Sequence, residues 1–311
     1  MARLGRQQSL LDGFLVVDKT AGMTSHDVVD VLRRRLGERR IGHAGTLDPD
    51  ATGVLVVAVG RSTRLLRFVT GADKAYDAEI VLGEATSTLD ASGEVVARFE
   101  MSGVTLDQVR AAAARLTGHL DQIPPMVSAI KVEGRRLYEL ARAGEEIDRA
   151  TRPVEVTRFD VEATEDPLVY RAKVECSSGT YVRSLAADLG SALNGGAHLR
   201  ALRRTRVGAF DLSDAIDASI ATAEQLRQPV GLLGAMSRLV VDDAHLQLVG
   251  NGRVIDAGLL GAEGSGPWAL LSSRGALLGV YERAMTNEVK PVLVHSAPTS
   301  PGGADAPPGD E

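Results

Sequence analysis

Among 311 residues there is one cysteine, Cys176. That scarcity excludes an intramolecular disulfide and any cysteine-rich metal site, and it fits a reducing compartment, so the cytoplasm is the expected location. Cys176 itself lies on an apolar strand face and reads as core, not as a nucleophile. There is no apolar run long enough to cross a bilayer and no N-terminal apolar core of signal-peptide type, so no membrane association is expected. Neither GxxxxGK[ST] nor GxGxxG occurs, which leaves ATP and NAD chemistry without support. The histidines, His26, His43, His119, His198, His245 and His295, include no pair at zinc-ligand spacing. No repeat of solenoid type is present.

What is there can build a large core, since 44% of residues are hydrophobic, and the length leaves room for a second, small domain. The net charge of -6 argues at first against a polyanionic partner. Half of that excess, however, sits on Asp305, Asp310 and Glu311 in a tail without Lys or Arg. Basic residues cluster at Arg33, Arg34, Arg35, Arg39 and Arg40, at Arg135 and Arg136, and at Arg200, Arg203, Arg204 and Arg206. Such clusters are commonly solvated helix faces; phosphate contact is the second hypothesis.

Read in order, residues 1–12 form a flexible N-terminus and 13–230 a large α+β domain with an insertion near 121–150. Residues 236–296, beyond a linker at 228–234, form a small separate β-rich module, and 297–311 a disordered tail. Gly13 to Lys19 reads as a buried strand. Ser25 is the candidate N-cap of a helix that stops at Gly37. Lys74 to Leu82 alternates as a half-buried strand, and Thr105 with Gln108 has capping-box spacing. Arg135 to Arg142 and Ala218 to Arg227 read as helices, and Thr180 as a cap that places Tyr181 and Arg183 in a first turn.

Between these elements Gly42 to Gly53 is a polar, glycine-punctuated loop leading into the apolar run Val54 to Val59. Pro49 disfavours helix at Asp48. On spacing alone, Asp48 is an Asp-Pro turn former, and Asp48 with Asp50 is a turn pair, not a Mg²⁺ site.

Taken together, Gly42 to Gly53, Lys74-Ala75-Tyr76, Gly83 to Gly93, Pro124-Pro125 through Lys131, Gly179 to Arg183, and His198 through Arg204 resemble the TruB family of bacterial tRNA pseudouridine synthases. The match runs in order from Gly13 to Phe210; Thr20 departs from it, standing where relatives have proline after the lysine. The resemblance implies a pseudouridine-synthase-like α+β fold, a mixed but mainly antiparallel sheet flanked by helices, with a β-rich C-terminal module similar to a reduced PUA domain. It implies isomerisation of uridine 55 in the T-loop of tRNA by base flipping. Asp48 falls on the catalytic aspartate. His43, Tyr76, Tyr181 and Leu202 fall on positions around the extruded uridine, and Arg183 falls on the arginine that pairs with the carboxylate.

Chemistry agrees with those roles. The N1–C1′ bond breaks, the uracil turns and C5 joins C1′, so no atoms are gained and no cofactor or metal is required. Attack at C1′, addition at C6 and removal of a 2′ proton all use an ionised carboxylate, and a guanidinium beside it favours that form. Tyrosine faces suit a base taken out of its stack. Arg135, Arg136, Arg203 and Arg204, with Arg33 to Arg40, are the candidates for RNA-backbone contact. The expected partner is the tRNA T-arm, with no obligatory protein partner and a monomeric chain. The rivals are an RNA-binding or tRNA-folding protein that keeps the fold with little catalysis, and a guided synthase inside a ribonucleoprotein.

Overall fold

The computed structural model describes residues 11–126, 131–132, 135–136, 147 and 149–295. In the first two thirds of the chain the strands are β1 (Gly13–Lys19), β2 (Ile41–Ala44), β3 (Thr52–Val59), β4 (Lys74–Leu82), β5 (Glu84–Thr86), β6 (Val95–Arg98), β7 (Gly118–Gln122), β8 (Lys131–Val132), β9 (Arg135–Arg136), β10 (Arg152–Ala163), β11 (Val169–Cys176), β12 (Ala197–Val207) and β13 (Phe210–Asp211). The helices are α1 (Ser25–Leu36), α2 (Leu66–Thr70), α3 (Leu106–Arg115) and α4 (Val182–Ala192). A nine-stranded sheet runs β1-β3-β12-β4-β11-β10-β7, with β2 added to β3 and β13 to β12. Its pairings are antiparallel except β3 with β12, which is parallel. The architecture is a mixed α+β fold.

Local sequence accounts for most of these elements. In β4 the side chains of Tyr76, Ala78, Ile80 and Leu82 are buried in strict alternation, the period of a pleated strand with one covered face. From Gly53 onward β3 is buried throughout because both its faces are covered. Val54, Val56 and Ala58 join one apolar cluster, while Leu55, Val57 and Val59 pack with α1. Helix α1 starts on a capping box of Thr24 and Asp27 and ends at Gly37, whose φ of 64° is left-handed. The N-cap is therefore Thr24 and not Ser25. The Ser25 hydroxyl is drawn instead to Leu47, donating to its carbonyl oxygen at 3.2 Å and accepting from its N–H at 2.9 Å.

Other expectations give way to tertiary contacts. Ala218 to Arg227 is not a helix but two 3-10 turns, Ala218–Ile220 and Ala223–Gln225. Asp217 and Gln225 satisfy backbone amides with their side chains, and Arg227 exchanges two backbone bonds with Phe14. Arg135 and Arg136 lie on the short strand β9, paired with β8, and not on a helix. The rest of 137–142 lies outside the described residues, as do residues 1–10 and 296–311.

The C-terminal region is β-rich: β14 (Ser237–Val241), β15 (Ile255–Asp256), β16 (Trp268–Ser272), β17 (Leu277–Met285) and β18 (Glu288–Val294), ordered β14-β16-β17-β18-β15, with the short helix α5 (Leu246–Gly250). It is not detached. Phe14, Val54 and Val56 share one buried cluster with Leu232, Leu233, Ala269, Leu277 and Leu293, so the segment expected as a linker is a packed 3-10 helix, Pro229–Leu233. Among the described residues no helix is long and apolar enough to cross a membrane.

Candidate active site

Asp48 lies in the loop between β2 and β3, which is shorter than the glycine pattern implied because residues 41–44 and 52–59 are already strand. Its carbonyl accepts from the Ala51 N–H at 3.1 Å, closing a turn with Pro49 at the second position, where its fixed φ is suited. Three buried side chains hold this loop from behind. Ser25 brackets Leu47. The Lys19 ammonium, 1% exposed, donates to the carbonyls of Pro49, Thr20 and Met23 at 2.8, 2.9 and 2.6 Å. Arg204, also 1% exposed, donates from Nε to Val54 O at 2.7 Å and from Nη2 to Gly45 O at 2.9 Å. Burial lowers the pKa of both cations. Gly53 is demanded by this arrangement: its φ is 101°, and a Cβ there would lie 2.1 Å from the Arg204 carbonyl oxygen.

Arg183 reaches the loop from the first turn of α4. The N-cap is Tyr181, not Thr180, because the Gln122 amide bonds both the Tyr181 N–H at 2.7 Å and its carbonyl at 3.1 Å, while the Thr180 hydroxyl donates to Ser177. From there the guanidinium, nearly fully buried, forks onto Asp48: Nε lies 3.1 Å from Oδ2 and Nη2 donates to Oδ1 at 3.4 Å. Its Nη1 donates to Asp90 Oδ2 at 3.1 Å and to the Thr88 carbonyl at 3.3 Å.

Asp90 is the site residue that sequence reading missed. It stands in a turn between β5 and β6 that pairs with β12 at Leu199, and its other oxygen accepts from Thr88 and Ser92. Burial raises its pKa, but the bonds from Ser92 and Thr88 and the charge of Arg183 outweigh it, so Asp90 stays below the usual carboxylate range. The Asp-Ala-Ser turn pattern was visible; its contact with an arginine 93 positions away was not.

The Asp48 side chain keeps 45% exposure, at the mouth of a cleft of about 430 Å³ walled by Asp48, Asp90, Arg183, Leu199 and Leu202 among others. Partial burial pushes its carboxyl above the usual range; Arg183 opposes that shift and Asp90 adds to it. A larger hollow of about 540 Å³ on the open sheet face shares Asp50, Ala201 and Leu202 with the cleft. It contains neither Asp48 nor Arg183, so the smaller cleft is the candidate reaction site.

The structure thus brings Asp48, Arg183 and Leu202 to one cleft. Tyr76 is buried in the adjoining core with Leu47 and Ala51, its hydroxyl pKa raised by burial and in electrostatic contact with Arg204. His43, on β2, and Tyr181 are half-buried and are not among the cleft walls. Burial and Arg204 hold His43 below its usual pKa, so its ring is neutral at pH 7, and its Nδ1 is buried without a partner among the described residues. Arg203 forks onto Asp18 at 3.1 and 2.7 Å at the edge of the hollow. Arg204 corrects the expectation of an RNA-backbone contact: its guanidinium is consumed by loop carbonyls and has no solvent face. The side chains of Arg135 and Arg136 lie outside the described residues.

Comparison with known proteins gives the family and the fold. Residues 33–182 match the N-terminal domain of the TruB family pseudouridylate synthases, and 183–231 match the tRNA pseudouridylate synthase B C-terminal domain. The chain is 57% identical over 224 residues to tRNA pseudouridine synthase B of Rhodococcus jostii (strain RHA1), covering 71% of this chain and 72% of that protein. With the enzyme of the same name from Arthrobacter sp. (strain FB24) it is 44% identical over 302 residues, covering 92% and 97%. Among solved structures, a chain of an H/ACA RNP bound to a substrate RNA containing 2′-deoxyuridine shares the fold, with TM-score 0.69 and 22% identity over 91% of this chain and 85% of that one. A relative 44% identical along almost the whole chain, together with the family match over residues 33–182, decides the grouping: the chain belongs to the TruB family of pseudouridylate synthases.

Proposed function

We propose that this chain converts uridine 55 in the T-loop of tRNA to pseudouridine by flipping the base into the Asp48 cleft and rearranging its glycosidic bond through that carboxylate. The coarser statement, an isomerase forming pseudouridine in tRNA, follows from the family. The finer one rests on a single observation: the two-point grip of Arg183 on Asp48, at 3.1 and 3.4 Å in an open cleft.

An RNA loop entering the cleft removes water from Asp48, which favours the neutral acid. Arg183 counters this and keeps the carboxylate ionised and aimed. N1–C1′ is then cleaved, the uracil turns, C5–C1′ forms, and the C5 proton departs as N1 regains one. Leu202 offers an apolar wall to the uracil. Extrusion costs a few kcal/mol; stacking on a side-chain ring would offset about 1–3 kcal/mol of it, but Tyr76 is buried in the core and neither it nor Tyr181 walls the cleft in this structure. The chain acts alone, as a monomer.

Asp48→Asn keeps the size and hydrogen-bonding reach of the side chain without its charge. The expected result is tRNA binding near the wild-type level and no pseudouridine in the product; substantial isomerisation by this variant would overturn the mechanism. Turnover of an unmodified tRNA transcript by the purified wild-type chain separates a stand-alone enzyme from a guided one, and absence of turnover would favour the latter.

A further inference from the structure

Arg183 stands in the first turn of α4, where its charge opposes the helix dipole, and Tyr181 gives that helix no side-chain cap. What fixes this end of α4 comes from the last residue of β7 and the one after it. The Gln122 side chain, 4% exposed, accepts from the Tyr181 N–H through Oε1 at 2.7 Å and donates from Nε2 to the Tyr181 carbonyl at 3.1 Å. The hydroxyl of Ser184, itself buried, donates to the Ile123 carbonyl at 3.1 Å. Residues 122 and 123 thus grip the chain at 181 and 184, on either side of Arg183.

A buried side-chain amide needs partners for both its carbonyl and its NH2 group, and many backbone groups would serve. Here both bonds go to one residue, so they fix where Tyr181 stands against β7. Successive helical residues are turned by about 100° and raised by about 1.5 Å. A slip of α4 by a fraction of one residue therefore carries the Arg183 guanidinium off the Asp48 carboxylate, which it meets at 3.1 and 3.4 Å. Asp90 orients the head group of Arg183 from its other side; Gln122 and Ile123 place the helix that carries it.

We propose that Gln122 is a positioning residue for the reaction: with the bond from Ser184 to Ile123, it holds α4 at the height where Arg183 forks onto Asp48. Gln122 is not among the cleft walls and acts through Arg183. The inference rests on the reading of Asp48 as the reactive carboxylate. Its signature lies in the titration of Asp48. Burial raises that carboxyl, Arg183 opposes the rise, Asp90 adds to it, Lys19 opposes it and Asp50 adds to it. Of the two opposing cations Arg183 acts the more strongly. Moving Arg183 away raises the carboxyl further, so activity that needs its ionised form falls off at a higher pH.

The test is Gln122→Leu, which keeps much of the bulk and removes both bonds, followed by single-turnover pseudouridine formation on tRNA across pH and by filter binding. The plateau rate is expected to fall about 10–100-fold, the scale of a small misplacement near a reacting group, with tRNA affinity within about twofold of wild type. The acid limb moves to higher pH. Val109→Ala, a core truncation on α3, lowers the melting temperature and leaves the limb in place. In an Arg183→Lys background Gln122→Leu is expected to cost less than about threefold more, because the two act as a unit. Should Gln122→Leu fail to fold, Ser184→Ala, which cuts only the Ile123 bond, is expected to move the limb in the same direction by less. A limb that stays in place, an equal shift in Val109→Ala, or full additivity with Arg183→Lys would overturn the proposal. A wild-type chain that forms no pseudouridine, or an Asp48→Asn variant that does, would instead sink the reading on which it rests.

Discussion

At the residue scale, the centre of the site is a charge chain, Asp48–Arg183–Asp90, in which one buried guanidinium serves two carboxylates. Lysine cannot reproduce that fork. Arg183→Lys is expected to lower the single-turnover rate by about 10²–10³ with little change in tRNA affinity, as read by filter binding beside rapid quench. The pH profile carries a sign. Because Asp48 titrates above its ordinary value of 3.8, activity requiring its ionised form falls off at a higher pH than an unperturbed aspartate would give. Asp90 contributes to that shift by repulsion, so Asp90→Asn is expected to move the acid limb toward lower pH while reducing the plateau, since Arg183 loses an anchor. An acid limb that stays in place would show that Asp90 does not act on Asp48 electrostatically.

At the scale of elements, the catalytic loop is positioned by the parallel contact of β3 with β12, where Gly53 faces Arg204. Gly53→Ala forces a Cβ into the Arg204 backbone at positive φ, and a loss of about 3 kcal/mol or more in urea unfolding is expected, with activity falling in parallel. Elements whose physics is short-range were legible beforehand. The alternation in β4, the doubly buried run of β3, the capping box of α3 and the left-handed stop at Gly37 all follow from periodicity and caps. The misread caps share one cause: Ser25 and Thr180 carry suitable hydroxyls, but Leu47 and Ser177 compete for them. Nothing local reveals those competitors.

At the scale of the molecule, the two sheets are joined by a shared apolar cluster and by a polar tie at its rim. Asp12 accepts from the Ser62 N–H and hydroxyl, both at 2.8 Å, and lies 2.9 Å from His295 Nε2 just beyond β18. Burial raises the Asp12 pKa, but His295 and Ser62 outweigh it and leave it depressed below 3.8. A depressed acid stabilises the fold above its unfolded value, and that stability is lost as pH falls through the folded one. Asp12→Asn is therefore expected to cost about 2 kcal/mol near neutrality, with the gap to wild type closing below pH 4 in urea titrations; a gap independent of pH would rule out the ionic tie.

The sequence by itself determined the strands and helices that obey a period or a cap, and the family to which Gly42–Gly53 and Gly179–Arg183 pointed is the one its relatives confirm. It also held all the charged groups, but not their partners. Only the tertiary structure decided that Arg204 is an internal strut while Arg203 reaches the surface, and that Asp90 meets Arg183 beside Asp48. The reason is physical: periodicity and capping act within a few residues, whereas the state and use of a charge depend on which distant segments the sheet brings within ion-pair distance.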